Sequence, residues 1–320
     1  MTVPLVLGID EAGYGPLLGP LVVGATLWQC APDPRGDDLW QRLASAVARA
    51  ASRRDGRLVV DDSKRVFDRA RGPASLERTV LAFADAAGVP HPTLGVFLAA
   101  LAGAPLGSVC PWYADLSRRL PVGGAPDAHA GATQRLAAAM TAARTMCIGL
   151  RAEVLPEDFY NRRVAATRNK AAVLLESVLR LVHWAGVRAA HQDLHVFVDR
   201  LGGRTDYRGV LLAAFPERHL HVVTAEEGRS AYRLADATSD WHVAFVVDGD
   251  RRHLPIALAS MLAKYVRELL MHEFNAYWRG LVPGVPPTAG YATDAQRFLA
   301  AIRPGLARAA VAERQFVRVR

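Results

Sequence analysis

A chain of 320 residues with 51% hydrophobic and 22% charged content carries enough apolar side chain for one large or two ordinary globular domains, which excludes a disordered or fibrous protein. Its formal net charge of +8 favours a polyanionic partner, although the preference for arginine, with only three lysines among 39 basic residues, equally fits a bias in genomic base composition. Cys30, Cys110 and Cys147 are odd in number and lack metal-ligand spacing, so neither a disulfide framework nor a cysteine zinc site is expected, and a reducing, cytoplasmic setting fits.

Val3 to Ile9 reads as a buried strand and Pro20 to Leu27 as a second. The loop between them is punctuated by Gly13, Gly15, Gly19 and two prolines. Asp10 and Glu11 stand at the end of the first strand. Adjacent carboxylates supply hard oxygen ligands of the kind Mg²⁺ takes, and the glycines leave backbone amides open to close approach. An acidic pair beside a turn is also commonly just solvated. A strict strand sends neighbouring side chains to opposite faces, so a shared metal site requires the strand to end or bend near Gly13. The apolar start lacks a basic n-region and is interrupted by Asp10 and Glu11, unlike a signal peptide.

From Phe67 to Thr145 the chain is Ala-rich, with Gly/Pro-rich stretches such as Pro121 to Pro126, and reads as an inserted helical segment or subdomain. Leu94 to Val109 comes nearest to a membrane span, but Gly95, Gly103, Pro105 and Gly107 interrupt it, so a core helix or helical hairpin is expected and no membrane contact. Glu157 to Trp184 then carries a helical pattern stopped near Gly186, and Leu194 to Asp199 is an apolar strand ending in a carboxylate. Thr205 to Phe215 reads as a helix, His219 to Thr224 and His242 to Val247 as strands, and His253 to Trp278 as a long helix. The alternation predicts an α/β fold, a sheet flanked by helices. His183, His191, His195 and His253 lack ligand spacing and read as structural.

Ser260, Lys264 and Glu268 lie four apart on the long helix and share a face. A plain Lys–Glu helix pair is the simpler reading of the last two. Two of the three lysines, Lys64 and Lys264, fall inside the motifs quoted below; Lys170 suggests no equally specific role. Arg303, Arg308, Arg314, Arg318 and Arg320 against Glu313 make residues 303–320 a basic segment, read as a solvated tail or a phosphate contact.

The run GIDEAGYGPLLGPLVVGA resembles the opening of type 2 ribonuclease H (ribonuclease HII), in which an Asp-Glu pair precedes a Gly-x-Gly loop. The resemblance recurs in order. Asp62-Ser63-Lys64 is similar to the family's Asp-Ser-Lys motif, and Leu194 to Asp199 to the strand bearing its third carboxylate. Gly249-Asp250 followed by Ile256 to Lys264 and then Arg267-Glu268 is similar to the helix bearing the fourth. Gly290-Tyr291-Ala292-Thr293 is similar to the final Gly-Tyr-Gly-Thr element. Departures are Tyr14, where the family has a basic residue between its glycines, and a Glu in place of the fourth Asp, as in type 3 enzymes.

The resemblance implies a ribonuclease H-like mixed sheet formed by residues 1–66 and 146–302, with 67–145 inserted and a further insertion possible within Asp206 to Ala244. It implies a two-metal Mg²⁺- or Mn²⁺-dependent endonuclease acting on the RNA strand of RNA/DNA hybrids or at RNA-DNA junctions. Asp10, Glu11, Asp199 and Glu268 would be the catalytic metal ligands. Gly13, Tyr14, Gly15, Ser63, Lys64, Ser260, Lys264 and Tyr291 would bind the nucleic acid. A non-catalytic nucleic-acid-binding relative and a nuclease acting on DNA are the alternatives.

Overall fold

The computed structural model describes residues 3–31, 38–50, 56–102, 110–124 and 129–319. Its first element shows how the rest is arranged. Strand β1 (Leu5–Ala12) is buried on both faces: Leu5, Leu7 and Ile9 point into one apolar core and Val6 and Ala12 into the other. A strand covered on both sides must lie centrally under helices.

After β1, β2 (Leu21–Cys30) returns antiparallel. A short α1 (Leu39–Arg42), the small parallel pair β3 (Val47–Ala48) and β4 (Leu58–Val59), and α2 (Ser63–Val66) follow. Helices α3 (Ala74–Ala86), α4 (Leu94–Ala102) and α5 (Ala130–Ala142) lead into β5 (Thr145–Leu155). Next come α6 (Glu157–Thr167), α7 (Lys170–Ala189), β6 (Leu194–Asp199), α8 (Arg208–Ala214) and the strands β7 (His219–Glu226), β8 (Arg229–Ala235) and β9 (Asp240–Val246). Helices α9 (Gly249–Arg252), α10 (Leu254–Leu281), α11 (Ala292–Ile302) and α12 (Leu306–Ala309) complete the chain. The seven-stranded sheet runs β5-β2-β1-β6-β9-β8-β7. Strands β1, β6 and β9 are mutually parallel in its centre, and antiparallel strands lie on both sides. The expected α/β architecture is therefore present as a mixed sheet flanked by helices.

One face of the sheet is covered by α7, whose Leu174, Val178, Leu181 and Ala185 meet Leu5, Leu7 and Ile9. The other carries α10, together with α3, α4 and α5. Segment 67–145 thus shares one continuous core with the sheet and α10: Phe83 meets Trp28 edge to face, and Phe97 lies 6.2 Å from Tyr265. Close packing of α10 depends on two glycines. A Cβ on Gly8 would lie 2.2 Å from the Pro255 carbonyl carbon, and one on Gly24 would lie 2.5 Å from the Ala259 oxygen.

Several boundaries differ from expectation for identifiable reasons. The single helix expected over Glu157 to Trp184 is two, because Arg168 turns left-handed at φ 53° and Asn169 starts α7 by accepting the Ala171 amide at 2.9 Å. Gly186 does not stop α7; it sits inside it, where a side chain would collide with the Trp241 ring. Strands β5 and β8 escape an apolar-run reading because Arg151, Glu153, Arg229 and Arg233 interrupt them. The Leu94 to Val109 run holds α4; its residues 103–109 lie outside the described residues, as do Pro126 and Arg320. No described helix is long and apolar enough to cross a membrane. The basic segment is solvated at Arg303, Arg308 and Arg314 but anchored beyond them: Phe316 is wholly buried between Trp112 and Trp278, and Arg318 is 2% exposed.

Candidate active site

Alternation along β1 turns Asp10 toward α10 and Glu11 toward the other face. Strand pairing runs through both to Ala12, and the chain turns only at Gly13, with φ +89°. On the parallel neighbour, Ile9 is paired with Val198, so Asp199 at the end of β6 is the next residue beyond that register. Carboxylates thus meet at the carboxyl ends of adjacent parallel strands, where open sheets expose their binding crevice. Their charges act on one another. Asp10, 8% exposed, has its carboxyl pushed well above the ordinary range by burial and by the Glu11 and Asp199 charges. Burial and Asp199 raise Glu11 to about 7. Asp199 is also raised, chiefly by burial, while the Gly249 amide donating to its Oδ1 at 2.9 Å works against the rise.

Asp62 caps α2 by accepting the Lys64 amide at 2.9 Å, which fixes the Asp62-Ser63-Lys64 turn beside α10. The Ser260 hydroxyl donates to the Ser63 hydroxyl at 3.0 Å, and Ser260 also holds the Asp10 carboxyl down against the rise that burial causes. Lys64 supplies the nearby positive charge, holding down the carboxyls of Glu11, Asp199 and Asp250. The structure therefore brings together Asp10, Glu11, Asp199, Ser63, Lys64 and Ser260.

It does not bring Glu268 to them. Eight residues beyond Ser260, Glu268 is displaced by about 12 Å along the axis of α10. Its carboxylate takes Lys264 Nζ at 2.6 Å and Arg267 Nη1 at 3.5 Å. Lys264 in turn lies 4.3 Å over the Phe67 ring, so these two residues realise the simple helix pair. The carboxylate that joins the cluster is Asp250. It stands on the first turn of α9, just after β9, and is raised to about 6 by burial and by the charges of Asp62 and Asp199. Helix-face spacing favoured Glu268 because it treats α10 alone; the strand-end Gly249-Asp250 pair was the available signal for the residue that was passed over.

The glycine loop is held from three sides. Its Leu17 and Leu18 amides donate to the Gly290 carbonyl at 2.8 and 3.2 Å. Buried Arg267 donates to the carbonyls of Leu18 and Ala289 at 3.2 and 3.1 Å. Arg318 donates to the carbonyls of Gly13 and Tyr14, stacks 4.1 Å from the Tyr160 ring, and pairs its own amide with the Leu17 carbonyl at 2.8 Å. Tyr14 packs on the α7 side, with Lys170 Nζ 5.0 Å from its ring. Gly15 faces open space. Tyr291, half exposed, lies beside the loop with the Arg267 guanidinium 5.9 Å from its ring. Nothing in residue spacing marked Arg267 or Arg318, whose partners are backbone atoms 249 and 305 positions away.

The donor set suits hard divalent cations. Asp10, Glu11, Asp199 and Asp250 offer only oxygen, and Lys64 is the one cation acting on three of them. Their carboxyls are raised chiefly by burial and then by neighbouring carboxylate charge, and a bound cation would favour the ionised forms. The oxygens do not yet converge on one point. Among the described residues, the group of three or more ligating side chains within 4.8 Å of one another is Asp85, His91 and His129, elsewhere in the fold.

No protein-family model matches the chain, and no curated protein matches it in sequence. Among solved structures it is similar to ribonuclease HII of Archaeoglobus fulgidus, determined in complex with PCNA. Identity there is 14%, coverage is 99% of this chain and 94% of that one, and the TM-score is 0.45. It is also similar to Bst-RNase HIII in complex with Mn²⁺, at 14% identity, coverage of 99% and 67%, and a TM-score of 0.47. A third is ribonuclease H2 from Pyrococcus horikoshii OT3, at 14% identity, coverage of 98% and 92%, and a TM-score of 0.43.

Proposed function

We propose that this chain is a Mg²⁺- or Mn²⁺-dependent endonuclease that hydrolyses the RNA strand of RNA/DNA hybrids or cuts at RNA-DNA junctions. The observation that carries the reading is the gathering of Asp10, Glu11, Asp199 and Asp250 at the ends of β1, β6 and β9, with the Lys64 charge acting on the last three. The ordered resemblance of its motifs to ribonuclease HII supports the substrate class. Asp10, Glu11, Asp199 and Asp250 would hold the cations. A bound pair of such ions supplies an activated water and charge stabilisation at the leaving 3′-oxygen. Ser260, whose hydroxyl donates to Ser63, would sit beside the Asp10 carboxylate as a polar neighbour. Lys64 limits repulsion among the carboxylates and offers a point charge to a phosphate. Gly15, with open space where a side chain would stand, lets the loop's backbone approach the nucleic acid, and the exposed Tyr291 ring can stack on a sugar or base.

Labelled duplexes of all DNA, with one ribonucleotide, or with a full RNA strand test the proposal when incubated with Mg²⁺, Mn²⁺ or chelator. Metal-dependent cuts confined to ribonucleotide-containing strands are expected. Cutting of the all-DNA duplex would replace the substrate assignment with a DNA nuclease, and binding without cutting would replace the enzyme with a nucleic-acid-binding protein.

A further inference from the structure

Helix α3 ends at Ala86, and Gly88, with φ +67°, folds the chain back so that the Val89 amide donates to the Ala84 carbonyl at 2.8 Å. This reversal brings His91 over Asp85. His129, at the start of α5, arrives on the same carboxylate from the other side. Nε2 of His91 lies 2.8 Å from Asp85 Oδ1, and Nε2 of His129 lies 2.9 Å from Oδ2. The imidazoles are tilted by 52° with centroids 5.6 Å apart, and the three ligating atoms all lie within 4.8 Å of one another. Thr133 Oγ1 donates to Asp85 Oδ2 at 3.2 Å, which orients the carboxylate.

From this convergence we infer a second metal site, formed by Asp85, His91 and His129 and selective for a zinc-type divalent ion. Two imidazole nitrogens and one carboxylate are the ligand set of a tetrahedral Zn²⁺ site that keeps one position for water; Mg²⁺ prefers oxygen and binds such a set poorly. Each ligand comes from a different segment: the end of α3, the following loop and the start of α5. Both histidines are shielded, with side-chain exposures of 14% and 6%, while Asp85 at 36% leaves the fourth position open to water. Small shifts that widen the two nitrogen–oxygen contacts make room for an ion at zinc-ligand distances of about 2.0–2.2 Å. The ion ties α3 to α5, two helices of the layer packed against α10 and the sheet. The site is separate from the carboxylate cluster and does not depend on the proposed nuclease activity.

Full-length protein is stripped with chelator and then titrated with Zn²⁺ against a chromophoric competitor, with millimolar Mg²⁺ present to occupy the oxygen-only cluster. Co²⁺ serves as the spectroscopic probe. One equivalent of Zn²⁺ is expected, with a raised melting temperature and a Co²⁺ spectrum of tetrahedral intensity. Asp10→Asn leaves all three unchanged. His91→Ala and Asp85→Asn each weaken Zn²⁺ binding by at least about tenfold, and Thr133→Val weakens it less. A Co²⁺ spectrum like that of the free ion in the wild-type protein, which needs no variant to fold, would overturn the site. So would undiminished Zn²⁺ affinity in folded His91→Ala, which would leave the three residues as a hydrogen-bonded bridge.

Discussion

Arg318 donates through its guanidinium to the carbonyl of Gly13, 305 residues earlier in the chain. The side chain is buried, and its second contact is to the Tyr14 carbonyl at 3.2 Å. Arg318→Met keeps most of the apolar stem but leaves both carbonyls without these partners. A loss of about 2–3 kcal/mol is expected from chemical denaturation. Amide exchange should rise at residues 13–15 more than in β6. Exchange unchanged at the loop would show that Gly290 and Arg267 hold it without Arg318.

Asp250 and Glu268 separate by their effect on cleavage. Asp250→Asn should reduce metal-dependent cleavage at least about a hundredfold with little loss of stability, as expected for removal of a direct ligand. Glu268→Gln breaks only the pairing with Lys264 and Arg267, costing about 1 kcal/mol and leaving turnover near the parental rate. The reverse ranking in single-turnover assays would return the fourth position to Glu268.

Glu157 gives a pH-dependent stability of defined sign. It is wholly buried, accepts from Trp112 Nε1 at 3.3 Å and Tyr113 Oη at 3.2 Å, and burial raises it from 4.5 to about 7. Between those values the folded state keeps a proton that the unfolded state has released. Stability from this group therefore falls as pH rises from about 4.5 to 7, by about 3 kcal/mol in all, and then levels. Glu157→Gln should remove that slope and be the more stable protein above pH 7. Parallel melting curves of the two proteins from pH 5 to 8 would refute the assignment.

Gly8→Ala tests the seating of α10. The added methyl would meet the Pro255 backbone, which cannot swing aside as a side chain tip would. A loss of about 1–3 kcal/mol is expected. Because Ser260 and Asp250 ride on or beside that helix, cleavage should fall further than stability alone explains. Unchanged melting would mean that the helix shifts without cost.

The apolar strands β1, β2, β6 and β9 were visible in sequence, as was the more exposed β7 from its alternating run at His219 to Thr224, and the three carboxylates Asp10, Glu11 and Asp199 ending β1 and β6 came with them. Amphipathic β5 and β8 carry arginines on one face and are recognisable only once a neighbour supplies the pairing. The same limit applies to the site. Asp10 and Glu11 announce themselves by adjacency, and Ser260 by its four-residue spacing from Lys264 on the long helix. Asp250 was visible but lost to Glu268, because a helical face says nothing about how far along the axis a neighbouring strand ends. Arg267 and Arg318 act on backbone carbonyls, which have no sequence identity to match. His91 and His129 are 38 positions apart and meet only because Gly88 reverses the chain.

Contact between Arg318 and Gly13 also sets an order of events during synthesis. Strand β1 and the carboxylates at its end are made well before Arg318, so the carbonyls of Gly13, Tyr14 and Leu17 lack these partners until residue 318 has been added. The turn at Gly290 and the anchor at Phe316 precede Arg318 in that order. The loop beside Asp10 and Glu11 therefore gains its full set of contacts only once a residue 305 positions later has been made.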